Sequence, residues 1–220
     1  MTQDKKRLKK PTLKARHTAA EERFGWLLEQ RGYSYWTENQ LQSVIALRGT
    51  KPDFYVRSSS HECFLAEVES FVQAGPLRSP LPQAMAGNVM STLRRIRTAV
   101  AHAARQLRPY ERLSIPMLAV LDNVHRVGIP SNIGDLWDAL FRPLSTGQAF
   151  LSRQSKRYLS AVAWSIPAVA AAVVPSARSI TMCVRLIHNP FALVRFPDGV
   201  FHGPQDKHYQ VKSNGRLMRT

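Results

Sequence analysis

The chain has 220 residues, of which 44% are hydrophobic and 21% are charged. This composition is typical of a globular protein that buries a core as one domain with extensions. Its 31 Lys and Arg residues against 15 Asp and Glu residues give a net charge of +16, which indicates a polyanionic partner, most often a nucleic acid. The spacing of Cys and His excludes a zinc motif and a disulfide framework, and no segment has the length and hydropathy of a membrane span. We therefore expect a cytoplasmic protein without membrane contacts.

The first 17 residues form a strongly basic segment that includes Lys9 and Lys10. A block of like charges with few apolar residues is usually disordered. We expect 1–17 to be a disordered tail whose lysines neutralise the phosphates of a nucleic acid. A tail that only improves solubility is the alternative.

A helix is predicted over 18–31, where apolar residues recur at helical spacing. Thr18 followed three residues later by Glu21 is a capping-box pattern, and Gly32 marks the helix end. The aromatic alternation over 33–37 then predicts a strand.

Two short apolar runs, 53–56 and 63–69, flank a polar, turn-rich spacer, which is the pattern of a β-hairpin with a longer loop. If the two strands are antiparallel and centred near Ser60, Asp53 lies directly opposite Glu67. Glu69 then leaves the same face of its strand as Glu67, because side chains alternate along a strand.

The three carboxylates would meet at one end of an otherwise apolar hairpin. Like charges across a strand pair destabilise it, so folding alone gives no reason to gather them. A divalent cation would explain why they are gathered, because Mg²⁺ is held by one or two carboxylates together with water and substrate phosphates. We expect Asp53 and Glu67 to bind Mg²⁺ or Mn²⁺, and Lys51 is a candidate for contacting a phosphate beside them.

The segment after the hairpin, 70–92, is rich in Pro and Gly and predicts a long irregular loop placed to cover a substrate. Helical periodicity resumes over 92–108. Its polar face carries a row of basic side chains that would contact a nucleic-acid backbone: Arg94, Arg95, Arg97, His102, Arg105 and Arg108.

A continuous apolar run over 115–121 predicts a strand buried on both faces, and Ser131 is placed to cap a further helix. Strands are predicted over 159–166 and 180–187, followed by His188, a candidate ligand or base in a turn. These elements predict an α/β domain over 18–200, with a mixed central β-sheet flanked by helices and a C-terminal strand-rich extension. Residues 201–220 are expected to form a basic, loosely ordered C-terminal tail.

The Pro52-Asp53 pair, the following strand and the Glu67-Val68-Glu69 run together resemble the core signature of the PD-(D/E)XK nuclease superfamily, over roughly residues 18–125. The resemblance implies a restriction-endonuclease-like fold and metal-dependent cleavage of DNA. It departs at Glu69, where the superfamily usually has Lys, although some members carry an acidic residue there.

The resemblance also implies roles for individual side chains. Glu21 matches a glutamate on the first helix that often reaches the metal site; a role only in the helix cap is the alternative. Glu69 would orient the attacking water or act as general base. Gln106 and Tyr110 have the spacing of a Gln-x-x-x-Tyr motif found in some superfamily members.

The function expected is therefore hydrolysis of phosphodiester bonds in DNA, in phage defence, mobile-element processing or repair. Two alternatives stay open: a nuclease-fold DNA-binding subunit without catalysis, and a basic RNA-binding or assembly protein. A homodimer or a larger complex with partner proteins is compatible with each of them.

Overall fold

The computed structural model describes residues 13–41, 51–70, 82–122, 133–143, 149–152, 156–167, 181–212 and 216–220. These residues form a mixed sheet with helices on its faces, which confirms the predicted α/β class. The helices are α1 (Leu13–Gln30), α2 (Glu38–Leu41), α3 (Pro82–Leu107) and α4 (Ile133–Phe141), and a 3-10 helix spans Arg108–Leu113. The strands are β1 (Ser34–Thr37), β2 (Phe54–Arg57), β3 (Cys63–Ser70), β4 (Met117–Asp122), β5 (Ala161–Pro167), β6 (Met182–His188), β7 (Lys207–Val211) and β8 (Leu217–Arg219).

The eight strands of the described residues lie side by side in chain order, from β1 to β8. Strand β2 is antiparallel to both β1 and β3, whereas β4 runs parallel to both β3 and β5. The chain returns from β3 to β4 through α3, as a parallel connection requires. The C-terminal strands β5 to β8 extend the sheet on the far side, and this is the predicted strand-rich extension.

Strand β4 is the centre of the core, and all of its residues are buried. Alternate residues of β3 and β4 face opposite layers. Leu65, Ala119 and Leu121 pack with α3 and α4, whereas Val68 and Val120 pack with α1. Side chains at 67 and 69 therefore leave the sheet on the α3 side.

Helix α1 begins at Leu13, so the prediction that Thr18 caps it is wrong. Residues 13–16 are Leu, Lys, Ala and Arg, which are all strong helix formers and extend the helix toward the N-terminus. Glu21 therefore lies inside the helix and does not cap its N-terminus. The predicted disordered tail also ends at residue 12 at the latest, and residues 1–12 lie outside the described part of the chain.

Helix α3 begins at Pro82, ten residues before the predicted start, so the predicted irregular loop is shorter than expected. Proline is favoured in the first turn of a helix because its missing N–H would have no partner there. Residues 71–81, the rest of the predicted loop, lie outside the described residues.

The prediction of a loosely ordered tail over 201–220 is wrong for the described residues of this segment, because β7 and β8 belong to the sheet. Buried Asp206 fixes the segment through four hydrogen bonds. Its carboxylate accepts from Arg31 Nε at 2.8 Å and Nη2 at 2.9 Å, and from the amides of Val184 and Gly203 at 2.8 Å each. A Cβ at position 203 would lie 2.4 Å from the guanidinium of Arg31, so a larger residue there would have to move that guanidinium, which is bonded to Asp206.

Buried Arg23 joins α1 to the end of β4. Its Nη2 lies 2.6 Å from Asp122 Oδ2, and its Nε also donates to this carboxylate. Burial raises the pKa of Asp122, and the guanidinium opposes that shift. The pair fixes the rotation of α1 and with it the position of Glu21, two residues away.

None of the described helices combines the length and the hydropathy needed to cross a bilayer.

Candidate metal centre at the end of a carboxylate hairpin

The β2–β3 hairpin has the register that the sequence predicts. Phe54 pairs with Ala66 and Arg57 with Cys63, so Asp53, one residue before β2, lies opposite Glu67. The two residues are in contact: the Val68 amide donates to Asp53 Oδ2 at 2.7 Å, and the Asp53 amide approaches Glu67 Oε2 at 3.4 Å. The backbone of each strand thus fixes the carboxylate of the other.

The Glu67 side chain lies in an unfavourable place for a negative charge. The residue is 3% exposed, and burial together with the nearby Asp53 charge raises its pKa to about 9. Glu69 and Glu21 act in the same direction more weakly. Without a cation the neutral form of Glu67 is therefore favoured, and a bound cation would favour its ionised form.

Replacing Glu67 by Gln is expected to stabilise the metal-free protein. The folded pKa of about 9 lies above the reference value of 4.5, so the folded state binds the additional proton within this window and stability falls as pH rises through it. Gln is neutral without taking up a proton. We therefore expect the free energy of unfolding at pH 7 to rise by on the order of 2–3 kcal/mol in the variant. Urea unfolding at pH 5 and pH 8 measures it. A wild-type stability that rises between these two pH values, relative to the Glu67→Gln variant, would contradict the assignment.

A cleft of about 620 Å³ opens beside Asp53, between α1 and the β1–β2 edge. Its lining includes Glu21, so α1 places this side chain in the same cleft as Asp53, together with the aromatic side chains of Trp26 and Tyr35. The cleft and the hairpin end together hold seven of the chain's 15 acidic residues: Glu21, Glu22, Glu29, Glu38, Asp53, Glu67 and Glu69. These carboxylates are clustered although the chain as a whole has a net charge of +16. Because like charges repel, a bound cation would stabilise this cluster.

Glu69 leaves the same face of β3 as Glu67 and contacts His102 on α3, through Oε1 and Nδ1. His102 is predicted to belong to the basic row of α3 that contacts a nucleic-acid backbone; in the structure its ring contacts a carboxylate while staying half-exposed. Helical periodicity identifies the apolar face, but His102 lies beside that face, where a helix packed across the sheet reaches the strand below. Sequence reasoning had no signal for the pair because the two residues are 33 positions apart.

Tyr110 also lies near the carboxylates. The 3-10 helix turns its side chain inward, where it is 2% exposed, and burial followed by the Glu67 charge raises its pKa. Gln106 is half-buried one turn earlier, at the end of α3. Tyr110 therefore packs in the core on the side that faces Glu67, and a role for the Gln-x-x-x-Tyr motif stays a prediction.

The basic side chains fall into three groups. Arg94 and Arg105 are exposed, whereas Arg95 and Lys51 are half-buried, and burial lowers the pKa of Arg95. Arg97 donates to the carbonyl of Ala139 at 2.7 Å and so joins α3 to α4. Lys9 and Lys10 lie outside the described residues.

A basic hollow of about 350 Å³, lined by Arg105, Arg108 and Arg112 with Pro109 and Glu111, lies where α3 gives way to the 3-10 helix. Arg112 was missed by sequence reasoning because no regular helix was predicted beyond residue 108.

His188 lies away from the carboxylates, on β6, three strands from β3. Its Nε2 is 3.1 Å from His208 Nδ1. Burial and the neighbouring imidazole lower the pKa of His188 to about 4, so the ring is neutral at physiological pH. The structure therefore gives it no part in the carboxylate centre.

The donor set of the hairpin end suits a hard divalent cation. Among the described residues, no group of three or more His, Cys, Asp or Glu side chains is arranged to hold a metal, so an all-protein cage of the kind that zinc prefers is not present there. Mg²⁺ needs less, since it keeps several waters and is bound through one or two carboxylates. Asp53 and Glu67 fit this requirement.

Comparison with protein-family models, with curated protein sequences and with solved structures found no match to this chain.

Proposed function

We propose that the protein is a Mg²⁺- or Mn²⁺-dependent nuclease that hydrolyses phosphodiester bonds in DNA. The observation that carries the proposal is the contact between Asp53 and Glu67 at the end of the β2–β3 hairpin. Two carboxylates are held together there by backbone hydrogen bonds, and one of them is disfavoured as an anion without a cation. The order of elements around them is the one implied by the resemblance to the PD-(D/E)XK superfamily: helix with Glu21, Pro-Asp strand, Glu-Val-Glu strand, basic helix and buried strand.

The side chains of the centre would have distinct roles. Asp53 and Glu67 would hold the cation, with the carbonyl oxygen of Val68 as a further ligand. When bound, the cation would neutralise the scissile phosphate, favour ionisation of water and stabilise the leaving oxygen. Glu21, on the wall of the cleft, would orient water or substrate through its carboxylate.

The basic hollow would hold the phosphate backbone of the substrate. The same 3-10 helix that turns Tyr110 toward Glu67 turns Arg108 and Arg112 outward. The hollow and Tyr110 thus belong to the same six-residue 3-10 helix, on its outer and inner sides. Contacts of this kind position the backbone and carry little sequence information.

Replacing Arg112 by Ala is expected to weaken DNA binding and to reduce its salt dependence. Each neutralised phosphate contributes roughly 0.9 to the slope of log affinity against log salt, so the slope should fall by about that amount. Fluorescence anisotropy with a labelled duplex in Ca²⁺, over a salt series, measures it. Arg57→Ala, an exposed arginine at the other end of β2, is the matched control; an equal loss in both variants would remove the hollow from the interface.

Cleavage assays with supercoiled plasmid, linear single-stranded DNA and RNA of the same sequence test the proposal. We expect the wild-type protein to cut at least one DNA form in Mg²⁺ or Mn²⁺ and none in EDTA. Binding without cleavage under every condition would favour the DNA-binding subunit instead. Preferential binding of RNA without cleavage would favour the RNA-binding alternative.

A further inference from the structure

The contact between Glu69 and His102 joins β3 to α3 beside the candidate metal centre. The side chain of Glu69 is 13% exposed and that of His102 is 46% exposed. The imidazole is thus held on one side by the protein and open to solvent over almost half of its surface. A ring with this exposure can be reached by a water molecule or a substrate.

The contact determines which nitrogen of the ring is a base. A carboxylate only accepts hydrogen bonds, so the Nδ1 that faces Glu69 carries the proton and donates. In the neutral ring, Nε2 then has the free lone pair. A carboxylate partner fixes tautomer and orientation in this way in other sites that use a histidine, and it also stabilises the imidazolium that forms when the ring takes a proton.

The pair lies on the same face of the sheet as the carboxylates. Glu67 and Glu69 are two residues apart on β3, a distance of about 6.6 Å along a strand, and both side chains point to the α3 side. Asp53 lies opposite Glu67. Glu69 therefore holds the imidazole on the face of the sheet that carries Glu67, at the next position of β3 that points to this face.

We propose that His102, oriented by Glu69, is the general base that activates the attacking water. This role rests on the proposed nuclease function, and it gives the unusual acid at position 69 a purpose. Nε2 removes a proton from the attacking water while the oxygen of that water forms the new bond to phosphorus. The bond from phosphorus to the leaving deoxyribose oxygen breaks, a solvent water protonates that oxygen, and the proton on His102 passes to the hydroxide that remains in solvent.

Two substitutions of His102 separate a base from a structural contact. His102→Asn keeps an amide donor for Glu69 but has no basic nitrogen, and His102→Ala removes both. We expect both variants to lose 10²- to 10⁴-fold in kcat, the usual contribution of a general base, and to retain the thermal shift produced by Mn²⁺. Free imidazole should restore part of the His102→Ala activity. Thr98→Ala, at an exposed site one turn earlier on α3, is the control and should keep full activity.

The tautomer can be determined independently of an activity assay, from the ¹⁵N chemical shifts of the His102 imidazole in the metal-free protein. We expect the Nδ1-protonated form in the wild type, a weaker preference in Glu69→Gln, and a 10- to 100-fold lower kcat in that variant, as for other residues that orient a catalytic group. Wild-type cleavage that survives in His102→Asn would overturn the role of His102 and leave the nuclease proposal intact. Absence of metal-dependent cleavage in the wild type would overturn both, whatever the tautomer.

Discussion

Asp53→Ala is expected to reduce metal-dependent DNA cleavage at least 100-fold and to abolish the thermal shift caused by Mn²⁺. The substitution removes one of two carboxylates that would hold the cation, and it also removes the acceptor of the Val68 amide. The remaining carboxylate, Glu67, is 3% exposed and burial disfavours its ionised form, so we expect it not to hold the cation alone. Plasmid nicking under single-turnover conditions and differential scanning fluorimetry with a Mn²⁺ series give the two readouts.

Glu62→Ala is the matched control, because Glu62 is a carboxylate of the same hairpin at its opposite end, bonded to Ser60. We expect this variant to keep both cleavage and the Mn²⁺ shift. A thermal shift of equal size in Asp53→Ala and wild type would show that the cation binds elsewhere.

Arg23→Ala is expected to destabilise the protein by about 3–5 kcal/mol, the usual cost of breaking a buried ion pair by removal of one partner. The Asp122 side chain is 2% exposed, so without the guanidinium its carboxylate is left buried or must be protonated. Chemical denaturation at pH 7 measures the loss. Cleavage should fall in addition, since the same pair fixes the position of Glu21 on α1.

Gln30→Ala, at an exposed position of α1, controls for the helix and should change the free energy of unfolding by less than about 0.5 kcal/mol. The double variant Arg23→Met with Asp122→Leu should recover most of the loss, because it removes both buried charges. A double variant as unstable as Arg23→Ala would assign the effect to packing.

The hairpin could be predicted from sequence because its information is local. Alternation in two short runs, and a polar spacer between them, determined the register that places Asp53 opposite Glu67. The buried strand β4 could also be predicted, because a continuous apolar run is typical of a strand that is covered on both faces in an α/β fold. Glu21 was found through the resemblance, and the reason for its position became visible only with α1 packed on the sheet.

What the sequence concealed depends on contacts between distant segments. His102 looked like one more cation on a basic helix, and only the packing of α3 over β3 brings it to Glu69. The segment 201–220 looked like a basic tail because its sheet partner is β6 and its anchor, the Asp206–Arg31 pair, spans 175 residues. Periodicity carries no information about such pairs, which arise when elements assemble.

The most direct test of the central claim is DNA cleavage by Glu67→Gln in Mg²⁺. This variant keeps the shape of the side chain and is expected to fold more stably than the wild type at pH 7, so a loss of activity cannot come from unfolding. We predict wild-type cleavage that EDTA abolishes and a rate at least 100-fold lower in Glu67→Gln. Equal cleavage by the two proteins would contradict the assignment of a metal-dependent nuclease centre to Asp53 and Glu67.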